Sequence, residues 1–412
     1  MFFLNILKCI LEVFEIHSKK QLNQDNKLSI RYLAGKLSNR VLFFDSSDKI
    51  NSLYYSLRIN KQSEHKINRN MKKHLLFLTI LSLFIACKNK ETDSSKDEGE
   101  YAHLLSTAQT LFQPISSVKM EEPDPDKVLL GKHLYFDTRL SGEGNISCNS
   151  CHNLETYGVD NLQFSPGDAE GTVGGRNSPT TFHAALHKMQ FWDGRAADVE
   201  EQAGGPILNP LEHNIKDEQQ LVNRLKEVEL YHELFSNAYG SDDPITFDNL
   251  TNAIGAFERT LMPESRFDKY LEGDESALSN SEKKGLMVFI DSGCITCHSG
   301  VALGGQMLQK FGLYHDYWKH TESKEIDYGL FDISEDESEK YFFKVPGLRN
   351  VIHTAPYFHD GSVQDLKDAV RIMAKLQRDV ELSDEEIDDV TVFLESLTAD
   401  ISDEIKKSPF ES

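Results

Sequence analysis

Two short segments, Cys148-Asn-Ser-Cys151-His152 and Cys294-Ile-Thr-Cys297-His298, constrain this chain more than anything else in it. Two thiols three positions apart can each form a thioether with one vinyl group of the same haem. The histidine that follows is then placed to ligate the iron from one face. Such a five-residue pattern is rare by composition, and here it occurs twice. Zinc is one rival, but a structural zinc needs four ligands per site, and no cysteine follows Cys297. Redox-active CxxC pairs are another, and the strand-to-helix setting they need is missing around both segments. Two covalent haems c are the expectation.

The chain has 412 residues, 39% of them hydrophobic, enough to bury a core, and two domains are the natural division for that length. A formal charge of -22 argues against nucleic-acid binding, which needs a basic face. Residues 71–87 read MKKHLLFLTILSLFIAC. A short basic start, an apolar run too short to span a bilayer and a small residue before Cys87 describe a lipoprotein-type signal peptide over 71–86. Cys87 is the expected lipid attachment point, although Phe84 stands where a leucine is usual. The polar stretch 87–101 reads as a tether. Residues 1–70 are expected to be a spurious extension upstream of Met71. The 14 Lys+Arg and 6 Asp+Glu of residues 1–86 set aside, 30 basic and 60 acidic residues remain, a formal -30. Such a surface attracts a positively charged soluble partner, less so in salt. The expected location is the periplasm or cell envelope, with the membrane touched only through the lipid.

Apolar periodicity predicts helices over 102–112, 127–136, 198–204, 218–235, 247–260, 281–290, 363–376 and 383–397. Asp124-Pro125 interrupts the pattern. Residues 157–179, rich in Gly, Ser, Asp and Asn, read as a long ordered loop over a site. Pro263 and the polar segment to Asn280 read as a link between domains. Helix, polar loop and CxxCH recur at 127–152 and 281–298, which suggests two related modules, 102–262 and 263–412. Strand signals are scarce. The expected fold is mainly α, with two cytochrome c-type haem domains and long ordered loops.

Spacing alone does not select what faces the second side of each iron. Two strong protein ligands make an electron carrier, whereas an open face admits a small oxidant. Here the chain resembles the bacterial di-haem cytochrome c peroxidase family, related to the di-haem enzyme that matures tryptophan tryptophylquinone. The resemblance runs from about Leu111 to Leu397. It rests on RNSPT at 176–180, QFWDGRA at 190–196, EEQAGGPILNPLE at 200–212, FKVPGLRNVIHTAPYFHDGSV at 343–363 and AVRIM at 369–373.

The resemblance implies that His152 is the proximal ligand of a low-potential peroxidatic haem. It implies that His298 and Met373 hold a second, higher-potential haem, since a thioether stabilises ferrous iron. Trp192 would lie between the haems, Glu212 would shuttle the proton of peroxide, and Gln202 would orient it. Asn177 with the carbonyls of Thr354 and Pro356 would bind one calcium ion, in a set of hard oxygen ligands. His359 would have a structural or inter-haem role. By residue type alone, Met373 and Trp192 read equally as core packing, and Gln202 and Glu212 as helix-surface polar residues.

Three departures from the family pattern stand out. No histidine occurs from Asn153 to Phe182, where many members carry a resting-state ligand; Asp168 or Ala169 occupies that region. His213 replaces a methionine, and His183 replaces an asparagine; either is a candidate ligand of the first iron. The expected activity is reduction of hydrogen peroxide with electrons from a small cytochrome c or other one-electron donor, in a protein that dimerises as classical relatives do. The alternatives are a di-haem electron carrier without turnover and a member of the cofactor-maturing branch. That branch has a tyrosine where this chain has Met373.

Overall fold

Side chains that cap helices fix where most of the elements begin. The computed structural model describes residues 101–240 and 242–410. The expected extension 1–70, the signal peptide 71–86, the lipid site Cys87 and all but the last residue of the tether lie outside the described residues. Asp124-Pro125, expected to interrupt, instead starts a helix, α2 (Pro125–Phe136), after the short α1 (Leu104–Leu111). Asp124 accepts the N–H of Asp126 at 2.9 Å, and Pro125 gives up only an N–H that had no partner to lose. Cys148–Cys151 form a single turn, α3. In α4 (Val199–Leu208), Asp198 accepts the Glu201 N–H at 2.9 Å.

The run 218–235, expected as one helix, is two: α5 (Glu218–Lys226) and α6 (Glu229–Tyr239). The extended Val228 turns the chain between them, and both halves bury their apolar faces in the same core. Thr246 caps α7 (Phe247–Glu258). The expected link 263–280 is in fact a packed element, α8 (Arg266–Leu271), with Phe267, Tyr270 and Leu271 buried. Its few apolar residues share one face, which the surrounding charges obscure in a linear reading. Serine–carboxylate capping boxes open α8, α9 (Asn280–Asp291) and, after the short α10 (Phe331–Ser334) and α11 (Leu366–Arg378), also α12 (Asp384–Glu395). A final turn, α13, spans Asp403–Lys406. The strands β1 (Leu308–Lys310) and β2 (Phe342–Lys344) pair antiparallel, with Leu308 opposite Lys344.

The described residues belong to one compact unit, Thr92–Ser412. Two helix crossings within it repeat each other. At Gly131 of α2, a Cβ would stand 1.9 Å from the Ala253 carbonyl oxygen and 2.9 Å from Phe257 Cβ, both on α7. At Gly285 of α9, a Cβ would stand 1.9 Å from the Asp389 carbonyl oxygen and 2.9 Å from Phe393 Cβ, both on α12. Each glycine lets two backbones touch just before a CxxCH segment. Around the first crossing, α2 and α4 to α7 bury Leu130, Leu134, Ile207, Leu225, Phe235 and Ile254. Around the second, α8, α9 and α12 bury Phe267, Leu286, Phe289 and Phe393. Helix α1 joins this second cluster through Leu104, Ala108 and Phe112, although it lies far earlier in the chain.

A buried ion pair locks that arrangement. Asp268 receives Arg349 through Nη1 and Nη2 at 2.8 and 2.7 Å, and its carboxylate also accepts the N–H groups of Ile115 and Ser265. Burial opposes the charge, but the Arg349 guanidinium and these N–H groups hold the Asp268 carboxyl below its ordinary range.

Candidate active site

The two CxxCH segments open onto two cavities. The first, of about 480 Å³, is lined by Cys148, Cys151 and His152 together with Gln202, Glu212, His213, Trp192 and His183. The second, of about 230 Å³, is lined by Cys294, Cys297 and His298 together with Met373 and Trp192. The sequence-predicted haem ligands therefore meet in the expected pairs, and Trp192 lines both cavities.

The histidines are set up as ligands. His152 donates from Nδ1 to the Pro179 carbonyl at 2.8 Å, and His298 from Nδ1 to the Leu303 carbonyl at 3.0 Å. Each bond fixes the tautomer and leaves the Nε2 lone pair for a metal. Burial lowers the pKa of both rings, so both are neutral at pH 7. Neither cysteine pair is closed by a disulfide. Among the described residues no cluster of three or more His, Cys, Asp or Glu side chains is arranged to hold a metal. A half-buried CxxC without a disulfide, beside an oriented histidine and a cavity that both line, fits covalent haem at both places.

Gln202 and Glu212 come together through a fold-back. Asn209 to Ile215 return along α4: His213 donates its N–H to the Pro206 carbonyl at 3.2 Å, and Ile215 to the Ile207 carbonyl at 3.0 Å. Glu212 is thereby brought to the cavity wall that Gln202 of α4 also lines. Burial raises the Glu212 pKa, against the opposing charge of Arg195 and a hydrogen bond with Asn209.

The loop 157–179 has no helix, as expected, and a single isolated bridge, Pro166 to Val173. Asp168 donates its N–H to the Glu212 carbonyl at 2.8 Å, and its side chain accepts the Glu143 N–H at 2.8 Å. A Cβ at Gly167 would meet the Leu211 carbonyl oxygen at 2.1 Å, so the loop rests directly on the segment that carries Glu212. Neither Asp168 nor Ala169 lines the cavity.

Each of the two unusual histidines keeps one ring nitrogen without a partner among the described residues, Nδ1 in His183 and Nε2 in His213, and both line the first cavity. His183 donates from Nε2 to the Pro263 carbonyl at 2.8 Å, and burial drives its pKa down to about 3. His213 donates from Nδ1 to the Leu140 carbonyl at 2.9 Å and keeps Nε2 free at the cavity wall.

Met373 sits on α11, packed with Phe311, Phe343 and Trp192 beside the second cavity. Trp192 donates from Nε1 to the Asn177 carbonyl at 2.8 Å, which fixes its ring between the cavities. Asn177 donates its own N–H to the His359 carbonyl at 2.8 Å, and Asn161 Nδ2 reaches the Ala355 carbonyl at 2.8 Å. The segment bearing Thr354 and Pro356 is thus stitched to the loop bearing Asn177. His359 stacks on Phe343 with ring centroids 4.1 Å apart.

Sequence reasoning missed three groups in the first cavity. Glu258, at the end of α7, is 4% exposed, and burial together with the nearby Glu200 pushes its pKa up to about 8. Lys344 and His187 also line the cavity. The only sequence signal was a charged residue closing the apolar run NAIGAF, and a lysine inside the quoted FKVPGLRN.

A family model described as di-haem cytochrome c peroxidase matches residues 125–276. The cytochrome c551 peroxidase of Nitrosomonas europaea is 43% identical over 297 residues, covering 71% of this chain and 86% of that protein. The cytochrome c551 peroxidase of Pseudomonas aeruginosa is 44% identical over 301 residues, with 71% and 85% covered. Among solved structures, a MauG-like protein associated with microbial copper homeostasis matches with a TM-score of 0.64 at 28% identity, covering 73% of this chain and 97% of that one.

Proposed function

The chain belongs to the bacterial di-haem cytochrome c peroxidase family, and on that premise we propose which of its residues carry the reaction. The protein is an oxidoreductase that reduces hydrogen peroxide, drawing on a one-electron donor, in the periplasm or cell envelope. It carries covalently bound haem c. Our reading assigns one haem to Cys148, Cys151 and His152, and a second to Cys294, Cys297, His298 and Met373, in two modules, 102–262 and 263–412. Bound in the first cavity, haem would supply an iron with a vacant face for peroxide and the means to pass electrons to it.

Glu212 accepts the proton from the inner oxygen of peroxide and delivers it to the outer oxygen, so that the leaving group departs as water. Gln202 holds the peroxide by hydrogen bonds without exchanging protons. Trp192 places a polarisable ring between the cavities on the route from the donor side. Asn177, with the carbonyls of Thr354 and Pro356, is assigned to one calcium ion that ties the RNSPT loop to the segment 353–359. A small, positively charged cytochrome c is the proposed donor, Cys87 the proposed lipid site and a homodimer the proposed assembly.

One observation carries this reading: Glu212 and Gln202 line the cavity of His152. The loop above them carries no histidine and keeps Asp168 on the backbone of Glu212. The electron-carrier alternative turns on His213 and then His183, which line the same cavity and each keep one ring nitrogen unpartnered. Peroxide turnover by the purified two-haem protein, with reduced cytochrome c or an artificial donor, separates the two. Turnover at rest supports the peroxidase assignment of these residues, and its complete absence with every donor defeats it.

A further inference from the structure

Four cationic side chains line the first cavity: Arg176, Arg195, Lys344 and Arg349. Three have carboxylate partners. Arg176 meets Asp193 at 2.5 Å and Asp327 at 2.6 Å, Arg195 meets Asp193 at 2.7 Å, and Arg349 meets Asp268 at 2.7 Å. Lys344 is 5% exposed and forms no ion pair among the described residues. Its Nζ donates to Nδ1 of His187 at 3.3 Å. Burial and the lysine charge itself keep that ring neutral.

The pair is held rigidly. Lys344 ends β2, and its N–H donates to the Trp192 carbonyl at 2.6 Å, beside the ring that lines both cavities. His187 is clamped between two glycines. A Cβ at Gly305 would stand 2.1 Å from its Cδ2, and one at Gly347 would stand 2.9 Å from its Nε2. The Asp193 carboxylate, already shared by Arg176 and Arg195, offsets only part of the cost of burying this ammonium, and a further anion would complete the site. Peroxide is neutral near pH 7. Haem, by contrast, brings two carboxylates of its own. Lys344 lines both cavities, but His187, to which its Nζ donates, lines only the first, and that contact assigns the ammonium to the first.

We propose that Lys344, oriented by His187, is the counter-charge of a propionate of the haem in the first cavity, and that it raises the reduction potential of that haem. This rests on the haem reading of that cavity. A fixed positive charge favours the reduced state, which carries one positive charge fewer. Lys344 is a positioning residue, so its test reads potentials and not activity.

The test is a potentiometric titration of the two-haem protein, followed optically and by EPR, in wild type and in the K344M, K344Q and K344R variants. K344M and K344Q should each lower the potential of the first haem, a roughly tenfold change in its reduction equilibrium, about 59 mV for a one-electron couple. The second haem should stay where it is, and K344R should hold the wild-type values. If K344M does not load haem, K344Q reads the same effect. Unchanged potentials in two-haem neutral variants overturn the proposal, as does a shift confined to the second haem or a K344R protein that falls with the neutral pair. Peptide mapping of the wild type separates this from its premise: no haem on Cys148 and Cys151 would overturn the haem reading itself.

Discussion

At the scale of single residues, the chemistry depends on carboxyl groups whose titration the fold has moved. In the proposed mechanism Glu212 must be ionised to take the first proton, and burial raises its pKa. Activity should therefore fall as pH drops through that raised value, and hold above it. Glu212→Gln should lower kcat/KM for peroxide by roughly 10²–10⁴-fold and abolish the acid limb of the pH profile, measured by steady-state turnover. Glu258 acts on stability. Its pKa of about 8 in the folded protein, against 4.5 ordinarily, means that the folded state holds the proton longer than the unfolded state. Stability should then decline from about pH 4.5 to about pH 8, by about 1.4 kcal/mol per pH unit, and level off above. Thermal melts of Glu258→Gln across that range should show a flatter profile and a higher Tm at pH 8 than wild type. The haem-attachment residues were legible because their spacing is chemical. Glu258, Lys344 and His187 were not, because burial and cavity position arise only when distant segments pack.

At the scale of elements, two helix pairs crossing at a glycine organise the protein. Gly131→Ala and Gly285→Ala would each drive a methyl group into a carbonyl oxygen on the partner helix, 1.9 Å away in the present geometry. Each should lower stability by about 1–3 kcal/mol or more, read as a drop in Tm, with haem loading impaired at the adjacent CxxCH. The helix–loop–CxxCH repeat was visible in the sequence, and so were most helices, since apolar periodicity reports a buried face directly. Three readings failed for local reasons. Asp124-Pro125 was taken as a break, although the same dipeptide is a cap followed by a first-turn proline. The run 218–235 hid a turn at Val228, because both helices keep one apolar phase against the same core. The segment 263–280 looked like a linker, because only one narrow face of α8 is apolar. The packing of α1 against α8, α9 and α12 had no sequence signal, since nothing local records a partner more than a hundred residues away.

At the scale of the whole molecule, the proposed function rests on charge and on an asymmetry between two haems. The acidic surface should speed encounter with a cationic cytochrome. Its second-order rate constant should fall steeply between low and physiological ionic strength, while an uncharged artificial donor should show little dependence, both read by stopped flow. The asymmetry is the deeper claim: one haem closed by His298 and Met373, the other held by His152 with a face kept open for peroxide. The EPR spectrum of the fully oxidised protein tests it most directly, recorded at rest and again after half-reduction. The account predicts a high-spin ferric signal from the first haem at rest, beside a low-spin signal from the second. Two low-spin signals that persist through half-reduction would contradict it, and would mean that His213 or His183 closes the site.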